Sequence, residues 1–172
     1  MYVLVQMWAA LIDYFQRYPA QEKIARLLIR NGLAIRDGKV FSGTIELSDS
    51  ALGRAAAVDR RIVAATVRTI EANPELHKVF SNFQPTLHLK EVAPTLGWGV
   101  IEIVPDNASR PGILAGVSSV ISREGISIRQ AVVDDPDFSD APKLFIVTER
   151  PVPPTLIPEM QRVSGVKSVT VS

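Results

Sequence analysis

Two groups of residues in this 172-residue chain have types and spacings that suit chemistry. The first is cationic. Arg60, Arg61 and Arg68 fall on the outward side of one helical stretch, and Arg54 precedes it by six residues. Two successive arginines at the start of a helix suit phosphate oxygens and base edges of a DNA duplex. The same arginines suit a solvated helix face or a protein contact, and Ala64 and Ala65 between them would touch little beyond a thymine methyl. The second group is the run Asp106-Asn107-Ala108-Ser109-Arg110-Pro111-Gly112. A proline without an amide hydrogen fits the first turn of a helix, and a glycine there lets a ligand approach the backbone. The amides of residues 112 to 114 would then favour a carboxylate through their unpaired hydrogens and the helix dipole. Asp106 and Asn107 are placed to meet an ammonium group, which together would make a site for a zwitterion. The same residues would also serve as a plain turn between strand and helix.

Other chemistries lack their residues. No cysteine is present, so disulfides, thiolate catalysis and Cys-based metal sites are excluded, and a cytosolic setting is expected. His77 and His88 are spaced neither for a zinc-binding helix nor for a nucleophile and its base. Asp134, Asp135, Asp137 and Asp140 are rich in oxygen but lack the spacing and bidentate glutamate of a calcium loop, and a solvated turn is the expectation. A Gly-rich phosphate loop, paired catalytic carboxylates and a Gly-x-Ser-x-Gly elbow are absent. No enzymatic activity, cofactor or metal is expected.

The elements that must hold these residues are readable from pattern. Apolar residues make up 47% and charged residues 22%, as in ordinary globular proteins. Residues 1–85 carry 11 basic and 8 acidic side chains, a surplus of +3, and the remainder carry 8 and 10, a balance of −2. Any nucleic-acid contact must therefore come from a local patch of arginines. Val3 to Tyr18 reads as an amphipathic helix, with Leu4, Trp8, Leu11, Phe15 and Tyr18 on one side, for core packing or a dimer contact. Sixteen helical residues reach only about 24 Å, short of the roughly 30 Å membrane interior, and neither a basic leader nor a cleavage site flanks them.

After Pro19, Gln21 to Asn31 reads as a helix stopped by Asn31-Gly32. A hairpin of Leu33–Arg36 and Lys39–Phe41 turns at Asp37-Gly38, and Gly43 to Leu47 adds a short strand. Ser50 to Ile70 reads as a helix-turn-helix. Leu52, Ala55 and Ala56 line its first helix, Ala57-Val58 turns, Asp59 caps, and Ile62, Val63, Thr66, Val67 and Ile70 point inward. Asn73-Pro74 opens another helix, with Leu76, Val79, Phe80 and Phe83 inward and His77 outward. Residues 1–84 thus form a helical domain and 85–97, with Pro85 and Pro94, a linker that holds His88 as a packing residue.

Residues 98–172 change to strand-helix-strand-strand-helix-strand. The expected elements are Val100–Val104, a helix Arg110–Arg123 with Leu114, Val117 and Ile121 on one face, Ile126–Val133, Leu144–Thr148, a helix Leu156–Val163 and Val166–Val171. The fold class is α+β, with a βαββαβ ferredoxin-like sandwich as its second domain.

The run Asp106 to Ala115, followed by Gly125-Ile126-Ser127-Ile128 and the closing Gly165-Val166 strand, resembles the signature of ACT domains, small regulatory modules that bind amino acids. The resemblance spans about 98–172. With its helical first half, the whole chain resembles archaeal ACT-domain proteins described as regulators of amino-acid metabolism. Here Asn107-Ala108-Ser109 separate the acid from the Arg-Pro-Gly triplet, a longer loop than is usual. The resemblance implies a homodimer with an amino-acid ligand between two such domains. Asp106, Asn107, Arg110, Pro111, Gly112, Ile113 and Leu114 would come from one copy, and Ile128 and Gln130 would line the wall offered by the other. It implies a regulator that binds a small amino acid, and the arginine-bearing helix pair adds the expectation of a transcriptional regulator on double-stranded DNA. The alternative is a regulatory subunit whose helix pair docks onto a biosynthetic enzyme.

Overall fold

The computed structural model describes residues 14–137, 139 and 141–172. The chain divides after Leu87 into two compact units. The helix expected over Val3–Tyr18 lies outside the described residues except for its end. There residues 14–17 form turns rather than helix, Phe15 is buried and Tyr18 is exposed.

In the first unit, α1 (Pro19–Arg30) starts on a proline that has no amide hydrogen to leave unpaired. Ile24, Ala25 and Leu28 are its buried stripe. It stops at Gly32, whose φ is +58°, with Leu33 N–H donating to Leu28 O and Gly32 N–H donating to Ile29 O. This glycine-closed double hydrogen bond satisfies two of the helix's last carbonyls. Three strands follow, β1 (Ala34–Arg36), β2 (Lys39–Ser42) and β3 (Ile45–Leu47), antiparallel in that order. Asp37 and Gly38 both take positive φ, as the two-residue turn demands.

Ser48 caps α2 (Asp49–Ala56) by accepting from Ala51 N–H, and Asp59 caps α3 (Arg60–Ala72) by accepting from Arg61 N–H at 2.8 Å. Ala57 makes the turn between them in the left-handed conformation. One expected contact differs. Ala55 is exposed, and Gly53 is the buried small residue; a Cβ there would lie 2.9 Å from Val58 O. The reason is helical phase: the buried arc of α2 is centred between Leu52 and Gly53, in line with Ala56, which leaves Ala55 about 110° away on the exposed side. Asn73 caps α4 (Pro74–Phe80) through Oδ1, which accepts from Glu75 and Leu76 N–H. Ile24, Leu28, Ile35, Val40, Val63, Val67, Ile70, Leu76 and Phe80 form one core.

The second unit holds a four-stranded antiparallel sheet of β4 (Gly99–Pro105), β5 (Ile128–Val133), β6 (Leu144–Thr148) and β7 (Val166–Val171), ordered β5-β6-β4-β7. Two helices, α5 (Ile113–Arg123) and α6 (Ile157–Gln161), supply Val117, Ile121 and Met160 to a core with Ile101, Ile103 and Ile146. Alternation sends Val100 and Val147 to the opposite face, where Ala93, Leu89 and Trp98 pack on them. The segment before the sheet is therefore part of this unit's packing.

Three expectations for this unit need correction. The first helix begins at Ile113, not Arg110, because Gly112 at φ +94° is its N-cap and leaves Pro111 outside the helix. Its buried face is Ile113, Val117, Val120 and Ile121, and Leu114 is exposed. The second helix is shorter than Leu156–Val163: Pro154–Leu156 form a 3₁₀ turn, and α6 ends at Gln161.

Candidate functional site

Arg54, Arg60, Arg61 and Arg68 are all exposed. The inward side of α3 is fixed by Val63, Thr66, Val67 and Ile70, which leaves Arg60, Arg61 and Arg68 on its outward side, while Arg54 is on α2. Arg61 Nε lies 3.0 Å from Asp59 Oδ1. Hydrogen bonds from the Arg61 side chain and backbone hold the Asp59 carboxyl below the usual aspartate range, and Asp59 in turn raises the Arg61 guanidinium. The cap thus does two jobs: it closes the first turn of α3 and orients one of the two leading arginines.

The loop between β4 and α5 folds on itself. Asn107 Oδ1 accepts from Ser109 N–H at 2.9 Å, and Arg110 N–H donates to Asn107 O. Arg110 reaches back to Asp106, 3.4 Å away, and donates to Ser164 Oγ. Its chain crosses Gly165, where a Cβ would come within 2.6 Å of Arg110 Cδ. Asp106 and Asn107, expected to meet an ammonium group, are thus engaged by Arg110 and Ser109. No side chain caps the start of α5.

Next to this loop lies a recess of about 130 Å³. Ala108, Arg110, Gly112, Ile113 and Leu114 form one wall, and Val133, Asp134, Pro142, Lys143 and Leu144 form the other. Arg110, Gly112, Ile113 and Leu114 are thus brought together, whereas Asp106, Asn107 and Pro111 do not line it. Ile128 and Gln130 do not line it either; they sit toward the other end of β5 from Val133, and Gln130 Oε1 accepts from Leu89 N–H at 2.8 Å. The second wall was missed from sequence. Its signal was topological: β4 and β6 pair antiparallel, so the end of β4 lies beside the start of β6, with Ile103 opposite Leu144.

Asp134 Oδ2 accepts from Lys143 N–H, and Asp135 Oδ1 accepts from Asp137 N–H, while Asp140 lies outside the described residues. No group of three or more acidic or histidine side chains able to hold a metal occurs among the described residues. His77 is exposed, and the His88 ring meets Phe145 edge-on at 5.9 Å. No helix among the described residues is long and apolar enough to cross a membrane.

On the sheet face away from the helices, Glu102 accepts from Lys143 and from Lys90 at 3.1 Å, and Lys90 Nζ also stands 4.1 Å from the Phe145 ring centre. The Lys143 hydrogen bond, followed by that of Lys90, holds the Glu102 carboxyl below the ordinary glutamate range. A carboxyl depressed by folding adds stability above its unfolded pKa and loses it as pH falls through the depressed value. Glu102→Gln is expected to cost about 1 kcal/mol at neutral pH and to flatten the acid side of the stability profile. Urea midpoints measured from neutral pH into the acid range check this, and an unchanged acid side would contradict it.

No family model matches the sequence, and no curated protein matches it. Among solved structures, the chain is similar to the ACT domain of GTP pyrophosphokinase from Chlorobium tepidum, at 22% identity and a TM-score of 0.34 over 44% of this chain and 96% of that one. It is similar to AsnC of E. coli at 14% identity and a TM-score of 0.30, over 90% and 89% of the two chains. A transcriptional regulator from Neisseria meningitidis in complex with L-Met gives 13% identity and a TM-score of 0.27, over 89% and 86%.

Proposed function

We propose that this protein is a DNA-binding regulator controlled by a small amino acid, working as a cytosolic homodimer. The observation that carries the proposal is the capped helix pair α2–α3, whose second helix begins with exposed Arg60 and Arg61 and continues the same outward side to Arg68, with Arg54 on α2. In such a pair the start of the second helix meets base edges while neighbouring cations meet phosphates. Two copies would place two such helices at one fixed separation on a two-fold duplex site. The domain bounds 1–84 and 98–172 belong to the same proposal, with residues 88–97 packed as part of the second unit.

The ligand would occupy the recess beside α5. Its size, about 130 Å³, is well below that of the roughly 300–1,000 Å³ pockets for drug-sized molecules and suits a small metabolite. An apolar side chain would lie against Leu114 and Val133, with its carboxylate toward the uncapped start of α5. Because Asp106 is engaged by Arg110, the ammonium would be met by Asp134 of the same recess or by groups of the second copy, where Ile128 and Gln130 are the proposed wall.

Duplex binding followed against salt tests the proposal. One neutralised phosphate gives a slope of about −0.9, or about 8-fold at 0.1 M salt. The double variant Arg60→Ala/Arg61→Ala is therefore expected to bind about 60-fold more weakly and to flatten the slope by nearly two units. One of the amino acids should raise the melting temperature and shift duplex affinity, since two linked ligands must alter each other's binding. Absence of duplex binding at low salt would end the DNA proposal, and a protein that ignores every amino acid would end the sensor proposal.

A further inference from the structure

The β1–β2 turn runs beside the outward face of α3 and shares an open groove with it. The groove holds about 480 Å³, with Gly38, Lys39 and Glu46 on one side and Arg60, Arg61 and Ala64 on the other. The turn is held in place. Its two residues have positive φ, and Gly38 N–H donates to Glu71 Oε1 of α3 at 2.6 Å. Lys39 Nζ is paired with Glu46 Oε2 at 2.8 Å, and both side chains remain about half exposed. Across the groove, Arg61 is paired with Asp59. The cations bordering this groove are thus present but partly neutralised by carboxylates that a stronger anion could replace.

We propose that the β1–β2 turn is a second DNA-contact element, in which Lys39 leaves Glu46 for a backbone phosphate flanking the groove that α3 enters. This rests on the duplex reading of α3. An α-helix with its side chains is about 10–12 Å across, and the major groove is about 12 Å wide, so a helix fills it. Whatever flanks that helix on the protein must then meet the phosphate strand at the groove's rim, and here the flanking element is a rigid turn carrying a lysine. A phosphate oxygen replaces the Glu46 carboxylate on Lys39, and the counterion condensed on that phosphate is released to solution.

The test measures affinity of the full chain for a short mixed-sequence duplex across a salt series, with far-UV circular dichroism confirming that each variant is folded. Lys39→Ala is expected to weaken binding by about 8-fold at 0.1 M salt and to flatten the salt slope by about 0.9. Glu46→Gln is expected to tighten binding, because Lys39 no longer has to be drawn from a partner. In the Lys39→Ala background the Glu46→Gln gain should vanish, since the two residues act as a pair. A Lys39→Ala protein with the parent slope, alongside an Arg60→Ala/Arg61→Ala protein that loses binding, would overturn the second contact and leave the α3 reading standing. A Glu46→Gln gain that persists without Lys39 would overturn the exchange step by assigning the effect to general charge. A parent protein that binds no duplex at low salt would remove both.

Discussion

Gly32→Ala is expected to destabilise the first unit by about 2–5 kcal/mol, far more than Gly43→Ala in the same unit. Both glycines have φ near +60°, where an alanine costs about 1–2 kcal/mol from backbone strain alone. Their surroundings differ. At Gly43 the nearest atom to an added Cβ is Pro85 Cγ at 3.8 Å, an ordinary contact. At Gly32 the Cβ would lie 2.3 Å from Gln84 O and 2.7 Å from Gln84 C, both backbone atoms. A flexible side chain could swing away, but a peptide group cannot move without its neighbours. Either the stop of α1 opens, breaking the Leu33-to-Leu28 and Gly32-to-Ile29 hydrogen bonds, or the chain at Gln84 shifts. Thermal melts of the two variants separate strain from collision, with about 4–8 °C expected per kcal/mol at this size. Equal losses would show that only the left-handed conformation matters at Gly32.

The contrast between these two glycines also shows which features were legible in sequence. Asn31-Gly32 read as a helix stop and Asp37-Gly38 as a two-residue turn, because positive φ has a residue signature. Caps were readable for the same kind of reason: Asp59 and Asn73 each present a short side-chain oxygen next to an apolar periodic run. Leu144–Thr148 was placed to the residue by a near-continuous apolar run, and Val166–Val171 by its alternation. What failed depended on phase or on tertiary neighbours. Pro111-Gly112 fits a first helical turn and equally a turn just before one, and the positive φ of Gly112 decides for the latter. A shift of one residue turns a helix by about 100°, which is enough to exchange Leu114 for Ile113 on the buried face. In α2 the buried arc is centred between Leu52 and Gly53, which takes in Gly53 and leaves Ala55 exposed. In the candidate recess, Arg110, Gly112, Ile113 and Leu114 were legible because they are local in sequence. Val133, Pro142 and Lys143 were not, since they arrive through strand order. The Arg110–Asp106 pair is local, but the passage of the Arg110 chain over Gly165, some fifty residues away, is announced by no local pattern.

Phe80→Ala is expected to remove about 3–5 kcal/mol from the first unit, the usual cost of deleting a fully buried aromatic ring. Phe80 is wholly inaccessible and meets Phe83 edge-on at 5.4 Å between ring centres. It ends α4, a seven-residue helix too short to persist on its own propensity, so its apolar contacts are what hold the helix. A domain of this size is stabilised by only about 5–15 kcal/mol in total, and the variant should therefore sit near its unfolding threshold at physiological temperature. Guanidinium midpoints and loss of amide protection in α3 and α4 would measure it; a loss below about 1 kcal/mol would mean that the core closes over the missing ring. The variant also separates folding from contact. At low temperature and without denaturant, Phe80→Ala should bind duplex like the parent once its folded fraction is taken into account, because no atom of Phe80 reaches the surface. Arg60→Ala/Arg61→Ala should do the reverse, melting like the parent while losing the duplex, because both side chains lie on the exposed side of α3. If the core variant lost binding while fully folded, the binding surface would have to include groups that Phe80 positions, and the exposed arginines alone would no longer account for recognition.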